Sequence, residues 1–183
     1  QLAKKLFLEE HPTANIHVID SLSAGGEVDL IVRKLNDLIK EGLSFEQVVE
    51  AISHYQANTK LLFVLAKVDN LVKNGRLSKL IGAVVGLLNI RMVGEASATG
   101  TLELLQKARG AKKALTAAVD EVLKAGYKGG RIIIAHRNNE KFCQQFSESI
   151  KEKFPAADIS FLPTSGLCSF YAEEGGLLMG YEI

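Results

Sequence analysis

The stretch from Lys112 to Leu162 decides the fold, and it reads KKALTAAVDEVLKAGYKGGRIIIAHRNNEKFCQQFSESIKEKFPAADISFL. Apolar residues recur at helical spacing over Lys112–Ala125, and a buried strand is predicted over Arg131–Ala135, where Ile132–Ala135 is uninterruptedly apolar. A second helical pattern covers Glu140–Phe154, and the largely apolar segment Ile159–Leu162 predicts another short strand. Helices of this length that alternate with short buried strands predict an α/β fold.

The rest of the chain continues this alternation. Further helices are predicted over Gln1–Glu10, Glu27–Glu41, Ser44–Gln56, Val68–Lys73 and Leu77–Leu88, and further strands over Asn15–Asp20, Leu61–Leu65, Ile90–Val93, Thr101–Gln106 and Leu177–Ile183. Ser44 and Gln47 form a capping-box signature that fixes the start of one helix. Because the chain starts with Gln1 inside a predicted helix, we expect it to be part of a longer protein.

Composition narrows the class of protein. The chain has 183 residues, 47% of them hydrophobic, and 22 basic against 21 acidic residues give a net charge of +1. Such a balance argues against a general nucleic-acid binder. The longest apolar run, Leu80–Leu88, is too short to span a bilayer. Cys143 and Cys168 lack metal-ligand spacing, which predicts free thiols in the cytoplasm.

Familiar catalytic motifs are absent from the sequence. There is no glycine-rich dinucleotide motif, no P-loop and no Gly-x-Ser-x-Gly elbow. His136 follows a predicted strand, so it is either an acid/base group or a loop histidine that only packs. Glu173 and Glu174 are adjacent and should point apart, which argues against a catalytic carboxylate pair.

Two serines stand at the end of the first predicted strand. Ser21 and Ser23 occupy the position where open α/β sheets bind ligands. Their hydroxyls are suited to hold an anion, and they are equally suited to cap the helix that follows.

The predicted helix Leu77–Leu88 is apolar almost all round. It must therefore be buried on most sides, either in the core or against an apolar cavity. In the cavity interpretation the lining consists of Leu77, Ile81, Val84, Val85 and Leu88, with Val64, Ile90 and Met92 as neighbours.

Positive charge is concentrated in the middle of the chain. Residues 60–131 contain 13 basic and 5 acidic residues, a local net charge of +8. Lys107, Arg109, Lys112 and Lys113 cluster at a predicted helix start, where carboxylates are normally favoured. This cluster indicates either an anionic partner or a solvated face.

Several segments together carry a resemblance to a known family. They are Val18-Ile-Asp-Ser21, Asn74-Gly-Arg-Leu-Ser78, Gly86-Leu-Leu-Asn-Ile90, Ala108–Leu115 and the closing glycines Gly175, Gly176 and Gly180. In this order they resemble the DegV family of bacterial fatty-acid-binding proteins, which includes acyl-carrier subunits of fatty-acid kinase. One departure is clear, because the family's histidine near the ligand carboxylate is replaced within residues 170–174.

The resemblance implies a fold and a function. Residues 1–58 correspond to the end of a parallel-sheet α/β subdomain, and residues 59–183 to a second α/β subdomain with a mixed sheet that holds the acyl tail. The implied function is binding of a long-chain fatty acid and presentation of its carboxylate to a partner kinase, without catalysis and with no cofactor besides the ligand. Arg76 and Arg109 would contact the head group or the partner, Tyr171 would replace the missing histidine, and Ser21 and Ser23 would lie near the subdomain junction.

Two other functions stay open. A stand-alone α/β phosphotransfer enzyme would engage His136 or Ser21, although a phosphate-binding loop is missing. Nucleic-acid binding through the basic segment lacks interleaved aromatic residues. If the Leu77–Leu88 wall were uncovered in this chain, we would expect self-association.

Overall fold

A computed structural model describes residues 1–77 and 89–183. Within these residues the helices are α1 (Leu2–Glu10), α2 (Gly26–Lys40), α3 (Phe45–Gln56), α4 (Asp69–Lys73), α5 (Ala111–Lys124), α6 (Glu140–Lys151) and α7 (Gly166–Ala172). The strands are β1 (Thr59–Leu65), β2 (Ile90–Ala96), β3 (Leu102–Arg109), β4 (Arg131–His136), β5 (Asp158–Pro163) and β6 (Leu177–Glu182).

The strands form one mixed sheet in the order β3-β2-β1-β6-β4-β5. Only β4 and β5 are parallel neighbours, and the other pairs are antiparallel. The last strand, β6, lies in the centre, where Phe63 of β1 pairs with Leu178. The predicted α/β class with a mixed sheet is therefore confirmed.

Each face of the sheet is covered by a different set of helices. Side chains alternate along β1, so Leu62 and Val64 point to one face while Leu61, Phe63 and Leu65 point to the other. The first face packs against α5 and α6 in one apolar cluster. On the second face, α2 covers β6 and β4, and α4 and α7 lie near the end of β1.

Helix α2 lies unusually close to β6 because glycines meet at the contact. A Cβ atom on Gly26 would overlap the carbonyl oxygen of Ile133, and one on Gly180 would overlap the backbone of Glu27. This close approach fixes the loop that precedes α2, residues 20–25, over the second face of the sheet.

The predicted strand Asn15–Asp20 is wrong. The segment is not assigned to any strand and pairs with no described strand. Ile19 packs instead with the cluster between α2 and α3, and the Gln56 side-chain amide donates to the carbonyl of Asp20 at 2.6 Å. A β-branched run shows only that a segment is partly buried, whereas a strand also needs a neighbouring strand for its backbone hydrogen bonds.

Other elements differ from the sequence predictions in their extent. Strand β3 continues to Arg109, so Lys107 and Arg109 lie on a strand, and only Lys112 and Lys113 lie in the first turn of a helix. Helix α7 is not among the helices that the sequence predicts, because seven residues are too few to display a helical period. The capping box of α3 is confirmed, since both hydrogen bonds between Ser44 and Gln47 are present.

Part of the predicted apolar helix lies outside the described residues. Leu77 is described and buried, but Ile81, Val84, Val85 and Leu88 are not among the described residues. Residues 1–77 and 89–183 contain no helix that could span a bilayer.

Candidate functional site: a cavity along strand β1

An elongated cavity of about 630 Å³ lies on the second face of the sheet. Its floor is formed by Leu61, Phe63 and Leu65 of β1 and by Leu178 of the adjacent β6. Leu65 follows Leu61 by four positions along the strand, a distance of about 13 Å. The floor is entirely apolar, so the cavity is suited to a narrow hydrocarbon rather than to a polar metabolite.

The floor is wide because a glycine stands beside Phe63. Gly94 of β2 pairs with Phe63, and a Cβ atom at Gly94 would overlap the Phe63 ring. The ring therefore lies across β2, where it extends the apolar floor. Ala96 and Leu102 continue the lining next to the Leu61 end of the cavity.

Arg76 lines the cavity beside α4 and α7, which pack together near Leu65 at the end of β1. Arg76 Nε donates a hydrogen bond to the Tyr171 hydroxyl at 3.0 Å, and the guanidinium carbon lies 5.1 Å from the centre of the Tyr171 ring. Phe170 packs edge-on against the same ring at 5.1 Å. Arginine carries five N–H donors, and the bond to Tyr171 uses one of them. No carboxylate of the described residues forms a salt bridge with Arg76.

The acidic residues after α7 are engaged elsewhere. Glu173 accepts a hydrogen bond from the backbone N–H of Asn70 at 2.8 Å, and Glu174 accepts one from the Asn138 side chain at 3.1 Å. The two carboxylates therefore have different partners, as expected for adjacent residues. Neither is among the residues that line the cavity.

The opposite end of the cavity is bounded by two loops. Residues 20–24, which include Ser21 and Ser23, form one wall, and Thr99, Gly100 and Thr101 at the tip of the β2–β3 hairpin form the other. Ser21 Oγ accepts a hydrogen bond from the backbone of Ser23 at 3.3 Å. The Ser23 hydroxyl donates to the buried carboxylate of Glu27, so it holds the loop rather than a ligand.

Four of the predicted site residues meet around this cavity. Ser21 and Ser23 lie at one end, and Arg76 and Tyr171 at the other. The serine loop is anchored through Glu27 to Thr59 at the start of β1, whereas Arg76 is bonded to Tyr171 of α7.

Other predicted residues lie away from the lining. Val64 points to the opposite face of the sheet, into the cluster under α5, because it alternates with Phe63 and Leu65. Met92 and Leu77 are buried in the same apolar cluster as the floor residues, but neither lines the cavity. Ile90 pairs with Arg109 at the far ends of β2 and β3, and Arg109 is exposed there.

His136 does not face the cavity either. Its Nδ1 accepts a hydrogen bond from the backbone of Asn139 at 3.3 Å, and its ring packs on Phe161. Both contacts correspond to the packing interpretation of this histidine.

Sequence reasoning missed most of the cavity floor. Leu61, Phe63 and Leu178 sit in strands that are apolar on both faces, so the sequence predicts burial without indicating which face lines a cavity. The hairpin tip carried a usable signal, since hydroxyls and glycine cluster at Ser97–Thr101 between two strands.

A second, more open cleft of about 760 Å³ lies between α2, α3 and the end of β6. Its wall contains charged and polar side chains, including Lys34, Glu50 and His54. The Tyr55 hydroxyl donates to Glu182 at 2.7 Å, and burial together with this carboxylate raises the pKa of Tyr55. The bond ties α3 to the sheet, which is a structural role, so we place the functional site in the cavity along β1.

Comparison with known proteins identifies the family. The family described as "Uncharacterised protein, DegV family" matches residues 1–181. A DegV domain-containing protein of Streptococcus pneumoniae is 79% identical over 183 residues, which are all of this chain and 65% of that protein. A DegV domain-containing protein of Streptococcus gordonii is 77% identical over the same lengths. The chain thus spans about 65% of the length of these curated relatives.

Two solved structures share the fold. The crystal structure of the Streptococcus pneumoniae Fatty Acid Kinase (Fak) B3 protein, loaded with linoleic acid, has a TM-score of 0.98 at 79% identity and covers 100% of this chain and 65% of that one. A DegV family protein from Eubacterium eligens, loaded with heptadecanoic acid, has a TM-score of 0.95 at 39% identity over 99% of this chain and 66% of that one. Since the family match extends over nearly the whole chain and the sheet superimposes on both relatives, the chain belongs to the DegV family.

Proposed function

We propose that this protein binds a long-chain fatty acid, and that the cavity along β1 holds the acyl chain. The observation that carries the proposal is an elongated apolar floor with an arginine at one end. Each buried methylene group contributes about 0.8 kcal/mol, so a long chain can bind tightly through apolar contacts alone. The linoleic and heptadecanoic acids in two relatives support this ligand class.

Within this proposal, Arg76 pairs with the fatty-acid carboxylate. A guanidinium–carboxylate hydrogen bond is charge-assisted and stronger than a neutral one. Tyr171 orients the guanidinium through its hydroxyl and supports it with its ring. The hydroxyls of Ser21 and Ser23 shape the distant end of the cavity and make no contact with the carboxylate.

We further propose that the protein is a non-catalytic carrier that presents the carboxylate to a partner kinase. Lys107, Arg109, Lys112 and Lys113 are exposed, and none forms a salt bridge with a carboxylate in the described ranges. Their combined field favours docking of an acidic protein surface. The name of the pneumococcal relative, a fatty-acid kinase B protein, supports this role. Incubation of the purified protein with ATP and a fatty acid, without a kinase, should yield no acyl phosphate.

Two further predictions belong to the same proposal. Residues 1–58 complete a first subdomain and residues 59–183 form the tail-binding one, although α2 of the first part packs directly on β6. A cytoplasmic location agrees with the two free thiols, Cys143 and Cys168.

The proposal is tested on the purified full-length protein. Mass spectrometry of extracted lipid should find a bound acyl species, and a labelled fatty acid should be taken up. Arg76→Gln should lower the affinity for a long-chain acid about tenfold, because a charge-assisted hydrogen bond is lost at an exposed site. Arg137→Gln, which removes an exposed arginine outside the cavity, is the matched control and should leave the affinity unchanged. The absence of both bound lipid and uptake would contradict the proposal.

A further inference from the structure

We propose that Leu22 limits the length of the acyl chain that the protein accepts. Leu22 lines the cavity at the end opposite Arg76, where the hairpin tip meets the loop before α2. The inference rests on the proposed fatty-acid binding and adds to it the residue that sets chain-length specificity.

The backbone of Leu22 has a conformation that leucine rarely adopts. Its φ is 50°, in the left-handed region where a side chain crowds the backbone. The backbone N–H of Leu22 donates to Asp20 Oδ1 at 3.3 Å, which helps to stabilise the turn. The side chain is 45% exposed although it lines an apolar cavity. Strained residues are retained where the surrounding structure fixes them, and they concentrate at ligand sites.

The hairpin tip closes the cavity against Leu22. Gly100 has a φ of 74°, and a Cβ atom there would lie 3.1 Å from the carbonyl oxygen of Leu22 and 3.3 Å from its Cβ. Glycine therefore allows the two loops to touch. Their contact lies beyond Ala96 and Leu102, next to the Leu61 end of the floor.

The loop that carries Leu22 is anchored on its other side. Ser23 and Thr59 both donate hydroxyl hydrogen bonds to the buried carboxylate of Glu27, the latter at 2.8 Å. Gly25, with a φ of 59°, lies directly against Leu178. These contacts prevent the loop from moving outward as a unit, so the Leu22 side chain acts as a fixed wall.

An acyl chain that starts at Arg76 crosses Leu65, Phe63 and Leu61 in turn and then reaches Leu22. Every methylene that fits inside the wall raises the affinity about fourfold. A methylene that would have to pass Leu22 gains nothing, which creates an upper limit on length.

The test uses Leu22→Gly and Leu22→Ala in the full-length protein. Dissociation constants are measured for a series of saturated fatty acids that differ by two carbons. Both variants should bind the acid two carbons longer than the native optimum about tenfold more tightly than the native protein does, because the end wall is removed. Glycine relieves the left-handed backbone strain, whereas alanine keeps it. An equal shift of the preferred chain length in both variants would therefore result from removal of the leucine side chain and not from relief of strain.

Leu167→Ala is the matched control. Leu167 is also an exposed leucine of the cavity lining, but it lies on α7 together with Tyr171. Its removal should change all affinities by the same factor and leave the preferred length unchanged. An unchanged length profile in both Leu22 variants would overturn this inference alone, whereas a native protein that binds no fatty acid would overturn the proposed function as well.

Discussion

Replacement of Glu27 by alanine should destabilise the protein by about 2 kcal/mol, because a buried acceptor of two hydroxyl groups is lost. Glu27 is only 6% exposed and accepts hydrogen bonds from Ser23 and Thr59. A buried hydroxyl without an acceptor costs about 1–3 kcal/mol. Thr59 also lies 3.0 Å from the carbonyl oxygen of Gln56 and can donate there instead, so most of the cost comes from Ser23 and from lost packing.

The second change is Thr59→Val, which removes one of the two hydroxyl donors to the buried carboxylate. A double-mutant cycle between the two changes should give a coupling energy of about 1 kcal/mol, because the residues are in direct contact. Glu27→Gln keeps the side-chain volume and one acceptor oxygen, and it should cost about half as much as Glu27→Ala.

Urea unfolding of the full-length protein measures these energies. When the slope of the unfolding free energy against urea concentration is the same in all variants, the shift of the transition midpoint gives the change in stability. Glu46→Ala is the control, because its exposed carboxylate also accepts a hydroxyl hydrogen bond, at 3.1 Å from Ser44. This change should stay within about 0.5 kcal/mol of the native protein. If Glu27→Ala were no more destabilising than Glu46→Ala, the reasoning about the buried anchor would be refuted.

Three further predictions concern the buried thiol of Cys143 and the close contact at Gly180. Burial raises the pKa of Cys143 to about 12, so alkylation of the native protein should modify Cys168 and spare Cys143. A bound fatty acid should slow the alkylation of Cys168, because this residue lines the cavity. The Cys143 pKa is higher in the folded than in the unfolded state, so the buried thiol contributes its full stabilisation below the unfolded pKa near 9. This stabilisation is lost as the pH rises toward 12. Cys143→Ala should remove this part of the pH dependence of the free energy of unfolding, measured by urea titration. Gly180→Ala should lower the free energy of unfolding by about 1–3 kcal/mol, since its Cβ would overlap the Glu27 backbone. Gly42→Ala is the control, because Gly42 has open space around it and the change should cost only the smaller backbone strain. Equal urea midpoints for the two variants would contradict the close contact of α2 and β6.

Much of the site depends on contacts between residues that are far apart in sequence. Arg76 and Tyr171 are separated by 95 positions, yet the guanidinium lies over the tyrosine ring. The segment Asn74–Ser78 indicates a functional arginine by its motif, but it does not identify the aromatic residue that orients the side chain. That pairing exists because α4 and α7 pack together at the end of β1.

The sequence by itself determined the α/β class, the start of α3 at Ser44 and most helix boundaries, because hydrophobic period and capping are local properties. Tertiary structure alone decided that β6 lies at the centre of the sheet, that residues 15–20 pair with no described strand, and that Phe63 rather than Val64 lines the cavity. When a strand is apolar on both sides, its sequence does not indicate which side packs against helices and which side lines a cavity. This depends on the neighbouring strands and the covering helices, because their positions determine which apolar surface is removed from water.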